Sequence, residues 1–133
     1  EYAIPVGTAI TNRTLSFGAQ PFFPSGINAA PPGPYRRVFI EDSPEPCTNG
    51  RQPANGRQEG IAFFPGSVPL YRDGVLVGGF GVSGGGVKQD HLVSFAGGQT
   101  APGFEPPSKW RADHLKLRGV RLPYLKFNRR PEQ

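Results

Sequence analysis

Cysteine is nearly missing from these 133 residues: Cys47 stands alone. A lone thiol excludes an internal disulfide and any multi-cysteine metal site within the chain, leaving a free thiol or a link to a segment outside it. Histidine is scarce as well, with only His91 and His114. Neither lies in H-E-x-x-H, and no C-x-x-C or C-x-x-C-H occurs. A zinc protease, a dithiol redox centre and a covalent c-type attachment site therefore have no support. No run of 18 apolar residues is present, which removes a membrane-spanning helix, and no signal-peptide pattern is seen. The chain opens on Glu1 rather than Met, so a mature, trimmed or processed piece is expected, from which a targeting segment can have been lost.

What the chain has in abundance is glycine and proline, 19 and 16 residues. That proportion borders on low complexity. Ten Phe, four Tyr and one Trp argue instead for a folded core with long irregular loops. The length allows one domain, burying roughly two-thirds of the surface its unfolded chain exposes.

Charge is uneven. From Pro107 onward eight basic residues (Lys109, Arg111, Lys116, Arg118, Arg121, Lys126, Arg129, Arg130) face only Asp113 and Glu132. A basic patch for nucleic acid or an anionic membrane is one reading. The pattern favours another, a tail lying over an acidic surface of its own protein or of a partner. The basic residues alternate with Leu115, Leu117, Val120, Leu122, Leu125 and Phe127, as in packed extended chain. No helix-turn-helix, zinc finger or aromatic RNA-binding motif accompanies them, so no nucleic acid is expected.

Along the chain, Thr8 to Ala19 reads as a short helix with Ile10, Thr14 and Phe17 on one face. Residues 21–60 read as proline-rich loop around one strand-like segment, Arg37 to Ile40. A loop of that length is uncommon in a compact domain and is expected to be functional or draped over another surface. Glu41, Asp42 and Glu45 read as a solvated acidic patch within it. Residues 61–97 carry a hairpin, a glycine turn and a helix. Residues 98–133 form a basic extended tail with one strand, Leu115 to Val120.

The hairpin unit is the most informative stretch. Val68-Pro69-Leu70-Tyr71 is a strand, Arg72-Asp73-Gly74 a turn, and Val75 onward the return strand, because Asp-Gly accepts the positive φ of tight hairpin turns. After Ser83 come Gly84, Gly85 and Gly86, then a helix opening at Val87. Its apolar side is expected to be Leu92, Val93, Phe95 and Ala96, and Gly97-Gly98 to end it. Glycines this dense imply that something approaches the backbone closely. The N–H groups of Gly84 to Gly86 can cradle an anion at the helix start, or the turn can simply let helix and sheet pack.

Two formal motifs overlap here. Gly79, Gly81 and Gly84 fit G-x-G-x-x-G, but the hairpin is antiparallel, the helix short and no terminal acid follows on a strand, as dinucleotide binding requires. Ser83 fits G-x-S-x-G, but the chain is too short for the fold that completes such a triad, even with Asp113 and His114 present. Of the two imidazoles, His91 is the first and His114 the second weak candidate for an iron or other metal ligand.

The run from Pro65 through Val68-Pro69-Leu70, Asp73-Gly74, Val77-Gly78-Gly79-Phe80-Gly81-Val82-Ser83-Gly84 and Gln89-Asp90 resembles the GlcG/HbpS-like haem-binding family. Gln20 to Ile27, the cysteine loop, Arg111 to Asp113 and Arg118 to Phe127 look like features of its longer-tailed members. The resemblance implies a profilin-like α/β (α+β) domain, with a curved antiparallel sheet and flanking helices. It also implies haem, corrinoid or related ligands, frequent oligomers and often no assigned catalysis. Family domains open with an alanine-rich helix, a strand pair and a second helix that do not precede Glu1. The resemblance therefore implies a single partial domain (1–133), loop-rich and completed by another polypeptide.

The expectation is a secreted or periplasmic ligand-binding or accessory module for haem or a similar planar cofactor. Gly81, Ser83, Gly84, Gly85, Gly86 and His91 are its candidate cofactor-facing residues. An oxidoreductase-type enzyme subunit and a purely structural interaction module are the alternatives.

Overall fold

The computed structural model describes residues 4–24, 27–42, 61, 63–99 and 102–125. They form an α+β fold. In chain order these are α1 (Asn12–Gly18), α2 (Arg36–Asp42), β1 (Ser67–Arg72), β2 (Val75–Gly81) and α3 (Val87–Gln99). Two 3-10 turns (Ser108–Trp110 and Ala112–His114), β3 (Lys116–Leu117) and β4 (Val120–Arg121) follow. Among the described residues β1 pairs with β2 and β3 with β4, both antiparallel. Cys47, Glu45 and most of the expected long loop lie outside the described residues.

The hairpin forms as its turn chemistry dictates. Arg72 pairs with Val75, leaving Asp73 and Gly74 as a two-residue loop with φ of 51° and 77°. Positive φ at both positions matches the right-handed twist of the strands they join. The register runs from Ser67↔Gly81 to Leu70↔Gly78 and then slips, so that Tyr71 faces Leu76. Val77 is the extra residue of a bulge, and strict in–out alternation is lost there. Val75, Leu76 and Val77 are all exposed.

Four sequence expectations are corrected. The first helix starts at Asn12 rather than Thr8, because the Thr11 side chain caps it: Thr11 and Thr14 form a reciprocal capping box. The segment Arg37 to Ile40 is helical, part of α2, where Arg37 Nε donates to Glu41 Oε1 one turn on, at 2.7 Å. This helix also removes Glu41 and Asp42 from the loop assigned to them. The tail strand is instead a small hairpin, β3 and β4 joined by Arg118-Gly119, both with positive φ.

The fourth correction concerns α3, which runs through Gly97 and Gly98 to Gln99. Those glycines do not stop the helix; they let it approach the hairpin. A Cβ on Gly97 would stand 2.8 Å from the Phe80 ring, and one on Gly98 would stand 2.9 Å from Val68. The buried positions of α3 are Asp90, His91 and Ser94, whereas Val93 and Ala96 are exposed. The inner face is thus polar and small rather than aliphatic.

The core joins the chain's two ends. Ala9 and Arg111 form a parallel bridge, in which Ala9 N–H donates to Trp110 O and Ala112 N–H to Ala9 O. The buried hydroxyls of Thr11 and Thr14 donate to the carbonyls of Tyr124 and Pro123 at 2.6 and 2.7 Å. Each bond satisfies a group that would otherwise be buried unpaired. In the described part of the basic tail, the guanidinium groups are held largely within the tail. The Arg111 guanidinium holds Asp113 through two bonds and stacks 4.7 Å from the Tyr124 ring. Arg121 donates to Asp113 O, and Arg118 to Pro32 O.

Two core phenols set an alkaline limit. Burial pushes the Tyr35 hydroxyl up from 10 to about 12. Burial pushes Tyr124 up further, against the opposing pull of Arg111. The folded chain keeps these protons at a pH where the unfolded chain releases them. Their contribution is therefore complete below about pH 10 and is lost as pH climbs toward 12 and beyond. Thermal melts should show Tm falling across that window, and Tyr35→Phe should flatten part of the fall.

Candidate functional site: the hairpin, the glycine turn and the head of α3

The turn between β2 and α3 is pinned at its base. Val82 N–H donates to Gly66 O at 2.8 Å, and the Asp90 carboxylate accepts from Gly85 N–H at 3.1 Å. Gly66 has a φ of 152°, and a Cβ there would strike Val82 O and press on Asp90. Asp90, nine-tenths buried, thus lies beneath the turn, where it also suits the positive end of the helix. Of the expected anion cradle, the Gly85 donor is already committed to this carboxylate.

The candidate residues divide into two groups. Gly81, Ser83, Gly84, Gly85 and Gly86 are exposed and contiguous. His91 is on the same unit but fully buried, with Ser94 Oγ donating to its carbonyl. His114 is exposed in the second 3-10 turn, its Nε2 3.2 Å from Ser108 Oγ, away from the hairpin in the chain. Among the described residues no three His, Cys, Asp or Glu side chains gather as a metal-ion site. Among the described residues no parallel βαβ unit stands around Gly79, Gly81 and Gly84, so the dinucleotide fingerprint lacks its setting there.

Two features were not singled out from the sequence. Gly78 has no atom within 4 Å of where its Cβ would be, and Gly79 has only Val68 O at 3.9 Å. Beside them stand Val75, Leu76 and Val77, each more than half exposed. The return strand is therefore open from Val75 to Gly79, with Gly78 and Gly79 on opposite faces of the ribbon. The second feature is Asp90 as the strut of that turn. Its signal was present, an acid in the first turn of a helix after three glycines.

A flat macrocycle requires an open face and, for a central metal, one accessible donor. Gly79 and Gly81 share one face of the ribbon and present no side chain there. The donor is less well presented, because the His91 imidazole faces inward and His114 belongs to another segment.

A family model described as haem degrading protein HbpS-like matches residues 27–99, a little over half of the chain. The chain belongs to the HbpS-like family. The match contains the whole hairpin, glycine turn and α3, and it points to a haem-related role. No curated protein and no solved structure matches the chain. Among the described residues no helix is long and apolar enough to cross a membrane.

Proposed function

We propose that this HbpS-like chain is a ligand-binding module for haem or a similar planar cofactor, which completes its pocket with another polypeptide. The observation that carries this reading is the family match over a unit whose glycine-lined face is open. Gly79 and the Gly81–Gly86 turn would hold the ring, where side chains do not obstruct it, and the exposed Val75 to Val77 would supply apolar contact. When bound, haem supplies a redox-active iron. The chain's own residues hold the ring plane and exclude water from one side. A nitrogen donor to the iron would come from His91, the first candidate, only if its buried imidazole became accessible, and otherwise from the exposed His114. The exposed, one-sided face supports the partner, since ligand sites normally enclose most of their ligand. We place the protein in a secreted or periplasmic setting.

Titration with haemin tests this directly. A saturable, red-shifted Soret band at one haemin per chain is expected. Substituting Gly79→Arg, which puts a bulky charge on that face, should weaken binding by about tenfold, as loss of roughly 1.4 kcal/mol of contact. An unchanged haemin spectrum would reject the ligand. The family's printed description favours one second reading, an enzyme subunit acting on haem. Bleaching of the bound Soret band by ascorbate and dioxygen, with iron released, would assign it.

A further inference from the structure

We propose that the cleft between the Pro5–Thr8 turn and Trp110 binds a small aromatic carboxylate, at a site separate from the glycine turn.

The cleft is built from backbone. Thr8 N–H donates to Pro5 O at 3.2 Å, and the Thr8 hydroxyl donates to the same oxygen at 2.7 Å. Gly7, the third residue of this turn, has a φ of 89°, which glycine adopts without strain. Directly after the turn, Ala9 N–H donates to Trp110 O at 2.8 Å, and Ala112 N–H donates to Ala9 O at 2.9 Å. The Pro5–Thr8 turn and the 3-10 turn that carries Trp110 are therefore fixed side by side. Between them lies a cleft of about 410 Å³, whose walls include Pro5, Val6, Lys109, Trp110 and Leu115. That volume lies at the lower end of the range for small-molecule sites. It suits a one-ring ligand rather than a macrocycle.

The walls select the ligand's chemistry. Val6 is fully exposed and Trp110 more than a third exposed, so the cleft presents apolar surface that the chain does not bury. The hairpin supports the indole: the Tyr71 ring centroid is 6.3 Å away, and a Cβ on Gly74 would stand 3.7 Å from the indole rim. An aromatic ring laid on a fixed indole gains stacking beyond the area it buries. Lys109 is the only charged residue of the lining, with its Nζ 6.0 Å from the indole centroid. Among the described residues no carboxylate pairs with it. One cation beside one aromatic wall, with no acid in the lining, matches a ligand that joins a ring to a carboxylate. The ring lies on Trp110 with Val6 and Pro5 beside it, and the carboxylate meets Lys109. A neutral aromatic leaves the ammonium unused, and an aliphatic acid forgoes the stacking.

Trp110 is the only tryptophan of the chain, so its emission reports on this cleft. Titration of the full chain with phenylacetate should give a saturable change in that emission, with amide shifts in residues 5–9 and 109–115. Phenylacetamide, which lacks the charge, and cyclohexylacetate, which lacks the aromatic ring, should each bind at least about threefold more weakly. Lys109→Gln should weaken phenylacetate about threefold and leave phenylacetamide unchanged. Val6→Asp, which sets a like charge across the cleft, should weaken phenylacetate about fivefold. Both side chains are exposed, so these variants keep their fold. No saturable change at any soluble concentration, equal affinity for phenylacetamide, or full phenylacetate affinity in Lys109→Gln would each overturn the proposal. A chain that takes up haemin but not phenylacetate defeats this inference alone.

Discussion

Gly33→Ala should lower Tm by about 10 °C, a loss of about 3 kcal/mol. Gly33 is buried where the loop after α1 folds back on the helix. Its N–H donates to Gln20 O, and Tyr35 N–H donates to Gly18 O two residues later. An added methyl would collide with the carbonyl of Gly18. The obstacle is backbone, and that backbone is stitched on both sides, so it cannot yield as a flexible side chain would. The neighbouring Tyr35 ring lies over Gly18 in the same way and ties the joint into the core. Gly78→Ala is the matched control, because its Cβ would enter open space. Calorimetry should find that variant within about 0.5 kcal/mol of the parent chain. If Gly33→Ala melts with it, the close packing of this joint is wrong.

Gly98→Val should be nearly as damaging and should reach the site as well. α3 approaches β1 closely enough for a Cβ at Gly98 to stand 2.9 Å from Val68, and Val68 is itself buried. A branched side chain there must push α3 from the hairpin, at a cost of about 2 kcal/mol. Because Asp90 on the same helix holds Gly85 N–H, displacement of α3 also loosens the glycine turn. Haemin affinity should therefore fall along with stability. A variant that loses stability but keeps full haemin affinity would show that the turn is positioned independently of the helix.

The hairpin was legible in the sequence because its cause is local: Asp73-Gly74 sets the turn, and the turn sets the strands. The end of α3 was not, since Gly97-Gly98 carries the same letters whether it stops a helix or admits Phe80 and Val68. Only the tertiary partner decides, and it lies about 17 to 30 residues away in sequence. The inner face of α3 was misread for a related reason. Leu92, Val93, Phe95 and Ala96 are the apolar residues, but the close approach at Gly97 and Gly98 turns Asp90, His91 and Ser94 inward. In α2, the β-branched and aromatic letters of Val38, Phe39 and Ile40 suggested a strand, yet no strand stands beside them among the described residues and the Arg37–Glu41 pair completes a helical turn. For the site, Gly81–Gly86 was readable as a turn before a helix, but the close approach its glycines implied is not made at Gly84 or Gly86, where a Cβ would meet nothing within 4 Å. The burial of His91 was not readable, because one imidazole on a short helix gives no periodicity to orient it. Family membership was readable because the hairpin, turn and helix start occur in one unbroken run.

The most direct test is to find where a planar ring touches the chain. Backbone amide spectra recorded on titration with gallium protoporphyrin, a diamagnetic stand-in for haem, report this residue by residue. Shifts concentrated in residues 75–91, saturating at one porphyrin per chain, are expected. Shifts confined to residues 4–20 and 104–125, or none at all, would contradict a cofactor site on the hairpin and its glycine turn.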